Sequence, residues 1–357
     1  MESRPESSGT AVFAYSMLAA TAFASVLALV YFGGVFQNLE LMVYDRMLQN
    51  RPAVHHTPPI TLITLSDNDL ARLQHCSIPD AALSGLLDNL VKHHPRAIGV
   101  DLYRDIPLAP GTDQLAAILN QHAEIILAQQ YGDNNTEGIP PPSYLNNPDR
   151  AGCTDFPEDS DKHIRRALIY LGDNSVCYTF GYLLALRYLA PEGITALGEA
   201  ENPNSLRLGK SWLPYLLPND GGYRNMDNRG YSILLDFQLS PGAFRSYSLS
   251  DALDNRLATA DITNKVVLIG SVSKSGKDFL SIPDLSENST GQKTAGIKVH
   301  GLFVDQLIRA ALNGHQPLHT ISEGLEWLWV GVWCAAGVLI GSRKQPLPLF
   351  VLFQTLG

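Results

Sequence analysis

The chain has 357 residues, 45% of them hydrophobic, enough for a sizeable core and too many for global disorder. A net charge of -9, with no long Lys/Arg block, excludes a nucleic-acid partner, because binding phosphates needs a concentrated positive surface. A mean hydropathy of -0.01 averages a polar middle against two very apolar ends, and those ends set the class.

Residues 1–10 are read as a cytoplasmic N-terminus. From Ala11 to Phe36 there is no Asp, Glu, Lys or Arg. A helix needs about 20 apolar residues to cross a bilayer core, so 11–36 is predicted as a transmembrane helix. Arg4 before the run and Ala22-Phe23-Ala24 within it allow a cleavable signal peptide as the alternative, but the apolar run continues through Val26, Leu29, Phe32 and Phe36.

Glu40 to Arg51 is predicted as a helix leading out of that span, ending before Pro52 because the residue preceding proline disfavours helix. Ile60 to Leu65 has the β-branched content of a strand. Asp80 to His93 has helical spacing of Leu83, Leu86, Leu87 and Leu90, and Ile98 to Asp101 follows as a second strand. A helix from Asp113 to Asn120 and a strand from Glu124 to Leu127 extend this βαβ pattern, so at least three strands should be parallel. Tyr131 to Glu158, rich in Pro, Asn, Gly and Asp, reads as a long surface loop. Further on come a strand at Arg165–Tyr170, a helix at Val176–Leu189, a loop at Pro191–Asn204 and a strand at Ser232–Phe237. A short helix at Leu249–Leu257, a strand at Lys265–Ile269 and a long helix at Ile297–Leu312 complete the middle. The alternation predicts a single large α/β domain over 37–322, with a mostly parallel sheet flanked by helices and long insertions.

Residues 323–342 form the second predicted transmembrane helix. Trp327, Trp329 and Trp333 stand at its start, and Arg343 and Lys344 follow it, which puts 343–346 in the cytoplasm as a turn and the large domain outside. The apolar stretch 347–357 reads as the start of a third span, interrupted by the end of the sequence.

Several groups could bear chemistry. Gly270-Ser-Val-Ser-Lys-Ser-Gly276-Lys277 follows a strand as a phosphate-binding loop does, but its glycines are one residue too far apart, and Asp278 stands where a metal-holding hydroxyl is needed. Asp67, Asp101 and Asp278 each follow a predicted strand, so a parallel sheet would gather them at its carboxyl end, where α/β folds place ligands; alternatively each caps a helix or orders a turn. His300, within the last helix pattern, is either a buried, satisfied histidine or a ligand contact. The adjacent pairs His55-His56 and His93-His94 point apart on any regular element, so no metal site and no cofactor is expected. Of Cys76, Cys153 and Cys177, the last two are nearest in the chain; an oxidising exterior would permit a disulfide between them, and buried free thiols are the alternative.

The order of these features resembles the type 2 CHASE domain, an extracytoplasmic sensory module found before bacterial cyclases and kinases. The resemblance lies in Tyr44-Asp45-Arg46 after the first span, Ile63-Thr-Leu-Ser-Asp67, and Ile98-Gly-Val-Asp101-Leu-Tyr. It is densest in Asn264-Lys-Val-Val-Leu-Ile-Gly270, Asp278-Phe-Leu-Ser-Ile-Pro283, Gly296-Ile-Lys-Val-His300 and Leu312-Asn-Gly314. Two departures stand out: Cys76-Ser-Ile-Pro79 replaces the usual tryptophan-containing element, and Asp161-Lys-His-Ile-Arg165 replaces an Asp-Gly step before the arginine. The resemblance implies a sensor or receptor; with no complete catalytic motif in the chain, no catalytic residues are expected, the apolar spans make it multi-pass in the bacterial inner membrane, and a homodimer is expected. Its domain would face the periplasm, meet the lipid bilayer at its spans and bind an unknown ligand or envelope protein. A cytoplasmic kinase or cyclase would lie beyond Gly357. Asp67, Asp101, Asp278 and His300 are then ligand-binding candidates, and Tyr44, Asp45, Arg46 and Gly314 signal-transmitting candidates. An envelope hydrolase using the three aspartates, or a protein-binding scaffold, are the alternatives.

Overall fold

The computed structural model describes residues 33–52, 56–75, 77–132, 137–172, 176–198, 205–240, 242–276, 278–283 and 293–342, with scattered positions between 18 and 31. It divides into two compact units, Asp45–Leu216 with Asn228–His319 in one, and Met1–Tyr44, Leu217–Asp227 and Thr320–Gly357 in the other. The first of the four points where the chain passes between them falls inside the helix α1, Gln37–Gln49.

In the larger unit the chain runs through β1 (Ile60–Leu65), α2 (Asp67–Leu73), α3 (Asp80–Val91), β2 (Ala97–Asp101), α4 (Thr112–Gln121), β3 (Ile125–Gln129) and β4 (Ala151–Cys153). It continues with β5 (Arg166–Leu171), β6 (Cys177–Tyr178), α5 (Phe180–Leu189), β7 (Ala196–Gly198), β8 (Ser205–Leu208), β9 (Ser211–Pro214) and β10 (Tyr231–Leu234). Last come β11 (Arg245–Ser248), α6 (Leu249–Leu253), β12 (Val266–Ser271), β13 (Phe279–Leu280), β14 (Thr294–Ala295) and α7 (Gly296–Asn313).

Six strands form one sheet in the order β11-β1-β12-β2-β3-β4, and every pairing in it is parallel. The late strand β12 inserts between β1 and β2, so the carboxyl ends of β1, β12 and β2 lie side by side. Ile63, Leu65, Ile98, Val100, Val267 and Ile269 project to one face, where the leucines of α3 and α4 and Leu249 of α6 cover them. Gly99 and Gly270 project to the other. A Cβ at Gly99 would stand 2.7 Å from the Phe180 ring, and one at Gly270 would stand 2.3 Å from Ile297 Cδ1, so α5 and α7 press directly on that face. Both faces are covered, as a parallel sheet requires, which is why its strands read as continuous apolar runs.

Several sequence expectations are corrected. The proposed loop 131–158 contains β4, an edge strand of three residues, too short to show a period. The helix expected from Val176 starts only at Phe180, after β6 and the N-cap Thr179. The strands near 165–170 and 232–237 do not join the main sheet; β5 pairs antiparallel with β10 and β6 in a separate three-stranded sheet. The loop expected at 191–204 contains β7, which pairs with the unexpected hairpin β8–β9. Polar β11 also escaped pattern reading, as did α2, although Ser66 and Asp69 form a reciprocal capping box that marks its start.

In the smaller unit, α8 (Glu323–Ser342) bears exposed Leu325, Leu328, Trp329, Val332 and Trp333. The Arg224 guanidinium lies 3.8 Å from the Tyr31 ring centre, and the Tyr31 hydroxyl donates to Glu326 Oε2 at 3.2 Å. Among the described residues, no helix is long and apolar enough to cross a membrane. Most of 11–36, and all of 1–10, 343–346 and 347–357, lie outside the described residues, as do His55, Cys76 and Lys277.

Candidate functional site

Asp67 is the first residue of α2, directly after the Ser66 N-cap. Its Oδ1 accepts from the hydroxyls of Ser273 and Ser275, the latter at 2.8 Å, and its Oδ2 accepts from the Lys274 amide at 3.2 Å. These hydroxyl bonds hold its carboxyl below the ordinary range. The loop after β12 is therefore closed on a carboxylate of its own fold, which leaves those groups no part in cradling phosphate. Beside it, Leu65, Leu70, Leu102, His75, Ser271 and Ser275 line a groove of about 660 Å³ at the carboxyl ends of β1, β2 and β12. It is mostly apolar, and it occupies the edge where open α/β sheets bind ligands.

The other predicted residues collect on the opposite face. Asp101 ends β2 on the same face as Gly99, and a Cβ on Gly270 would lie 3.2 Å from the Asp101 Cβ. Burial and the neighbouring Asp278 push its carboxyl up to about 8. The Asp278 carboxylate rests against Gly296, where a Cβ would come within 2.5 Å of both oxygens, and its backbone oxygen accepts the Gly296 amide at 3.1 Å. Glycine is required there because the carboxylate occupies the space of any side chain. The packed surroundings raise the Asp278 carboxyl as well.

His300 lies one turn beyond Gly296 on α7, 4% exposed. Its ring packs between Phe156, with centroids 4.6 Å apart, and Phe180, at 5.2 Å. Burial drives its pKa down to about 3, so the imidazole is neutral, and among the described residues its Nδ1 meets no hydrogen-bond partner. Tyr103 and Asp155, which sequence reasoning passed over, complete this group. The Tyr103 hydroxyl bonds the Thr154 hydroxyl at 2.9 Å and feels the charges of Asp101, Asp155 and Asp278 together. Asp155 accepts the Tyr131 amide at 3.0 Å, and burial raises its carboxyl. Both residues sit on irregular chain just past strand ends, where the only available signal was proximity to an end.

The transmitting candidates divide. Asp45 makes a two-pronged bond with Arg165, 2.7 Å from Oδ1 to Nε and 2.7 Å from Oδ2 to Nη2. Arg165 is buried and also binds Asp159 at 2.8 Å and Asp161 at 2.6 Å, which holds the Asp161 carboxyl down to about 2. So α1 is tied through Asp45 to the residue preceding β5. Tyr44 is half-buried; Arg46 is exposed and donates to Gln49 of its own helix at 3.2 Å. Gly314 caps α7 in the left-handed conformation at φ 71°, its amide donating to the carbonyls of Arg309 and Ala310. Near that end a buried network links His56 to Asp305 at 2.6 Å, Asp305 to Arg309 at 2.8 Å, and Arg309 to Asp236 at 2.9 Å. Cys153 and Cys177 are joined by a disulfide between β4 and β6.

A wholly parallel sheet with a groove and a buried polar cluster at its carboxyl edge defines an α/β domain. The family model of the CHASE2 domain matches residues 21–339, and the chain belongs to that family, one of sensory extracellular domains. No curated protein and no solved structure matches it.

Proposed function

We propose that this chain is the extracytoplasmic sensor of a bacterial transmembrane signalling protein, its large domain outside the inner membrane and the apolar segments 11–36 and 323–342 spanning it. A stimulus bound at the strand-end sites shifts the domain between two states that bind it unequally, and the shift passes through α1 and α7 to a cytoplasmic kinase or cyclase that is not within this chain. The observation that carries this reading is the extent of the family match, which begins inside one apolar segment and ends inside the other. The Asp45–Arg165 bond supports α1 as the route, since it fastens that helix to the domain by a buried charge pair.

The test pairs topology with binding. Reporters fused after residue 200 and after residue 345 are expected to be active outside and inside the cytoplasm, respectively. The full chain in lipid nanodiscs is then expected to show a thermal shift with a component of a small-molecule and envelope-extract panel. A cytoplasmic reporter at residue 200 would sink the reading; absence of any shift would remove its small-ligand form.

A further inference from the structure

The Asp101 face of the sheet carries an unusual concentration of unpaired acid. Asp101, Asp155 and Asp278 come from the ends of three different segments, and no ion pair among the described residues engages any of them. Holding Asp101 beside Asp278 in dry surroundings costs the fold free energy, because the two charges oppose each other. Asp278 already meets the positive end of α7 and Asp155 accepts the Tyr131 amide, which leaves Asp101 without such compensation. The carboxylates are spread too widely for one metal ion; among the described residues no group of three His, Cys, Asp or Glu side chains could hold one.

His300 supplies an independent indication. Residues four apart share a helix face, and long side chains on a helix lean toward its N-terminus. The His300 ring therefore lies over the Gly296 turn, where the Asp278 carboxylate sits, and its contact with Phe156 places it beside the segment bearing Asp155. A buried nitrogen without a partner is uncommon in folded proteins and marks a place where a polar group is expected. Half-exposed Tyr103 and Phe156 add aromatic faces that attract an organic cation.

We propose that Asp101, Asp155 and Asp278, with Tyr103, Phe156 and His300, bind an organic ammonium ligand of the aliphatic amine or polyamine class. The carboxylates neutralise the ammonium, His300 and the Tyr103 hydroxyl meet its N–H groups, and the rings cover its methylenes. This assignment rests on the sensor reading only for its biological meaning, since binding itself needs no effector.

The experiment is isothermal titration calorimetry on the full chain in detergent micelles at pH 7, using putrescine, with 1,4-butanediol as its uncharged counterpart. Runs in two buffers of different ionisation enthalpy read the protons released. Saturable binding of the diamine alone is expected, with proton release, because a cation beside Asp101 favours its ionised form. Asp101→Asn and Asp278→Asn should each weaken binding roughly tenfold or more, and His300→Phe should weaken it too. Asp88→Asn, an exposed change on α3, which covers the opposite face of the sheet, should leave it intact. Asp101→Asn removes like-charge repulsion, so its thermal midpoint should match or exceed that of the parent. If either variant unfolds, the other still decides. No saturable binding, equal binding of the diol, or binding indifferent to the folded variants overturns the proposal. Amine binding with a cytoplasmic reporter at residue 200 would keep the site and remove the sensor reading; the reverse pair of results would do the opposite.

Discussion

Asp101 and Asp67 occupy similar places at strand ends and meet opposite fates. Two serine hydroxyls and a backbone amide stabilise the Asp67 charge, whereas burial and Asp278 oppose that of Asp101. The folded pKa of Asp101, about 8, lies above the ordinary aspartate value of the unfolded chain. Its stabilising contribution is therefore fully present below about pH 4 and is lost as pH rises through about 8. Asp101→Asn removes this dependence. In urea unfolding at a series of pH values, the variant should be more stable than the parent at pH 7 by about 1 kcal/mol or more, with a smaller decline between pH 4 and 8. Parallel pH profiles would refute the raised pKa. Residue type and a place after a strand were legible for Asp101 and Asp67. Which of the two charges would be satisfied was not, because Ser273 and Ser275 arrive from more than 200 residues away.

At the scale of elements, the close approach of helices to the sheet depends on glycines. Gly152 of β4 faces the start of α5, where an added Cβ would lie 2.5 Å from the Phe180 Cα and 2.6 Å from its nitrogen. Those are backbone atoms and cannot swing aside, unlike the Ile297 side-chain tip that faces Gly270. Gly152→Ala should thus destabilise by about 1–3 kcal/mol, shifting the urea midpoint; an unchanged midpoint would show that α5 can move off β4 freely. Long apolar elements such as β1, α3, β12 and α7 were readable because their periodicity reports burial. β4, β6 and β11 were not, being two to four residues long and specified by the neighbours with which they pair. The placement of β5 and β10 outside the main sheet was equally hidden, since an apolar strand pattern does not name its partner.

For the larger unit as a whole, long-range covalent and ionic ties supplement the core. The Cys153–Cys177 disulfide closes a loop with a sequence separation of 24. By the chain-entropy estimate, opening it should cost about 3 kcal/mol, so reduction, or replacement of both cysteines by serine, should lower the denaturation midpoint accordingly. No change on reduction would mean that the bridge does not constrain the unfolded chain. Arg165 does similar work electrostatically, gathering Asp45, Asp159 and Asp161 from α1 and from the segment before β5.

Composition, apolar periodicity and strand-end acids were enough to determine the α/β class and the parallel core, because each is repeated along the chain and local burial imprints it on residue type; the family resemblance lay in short motifs such as Gly296-Ile-Lys-Val-His300. Strand order, the division of the acids between two faces, the exposure of one aspartate to hydroxyls and another to like charge, and the enclosure of His300 were decided only by tertiary structure. They depend on which distant segments meet, and a single sequence records the chemistry of each segment without recording the meeting.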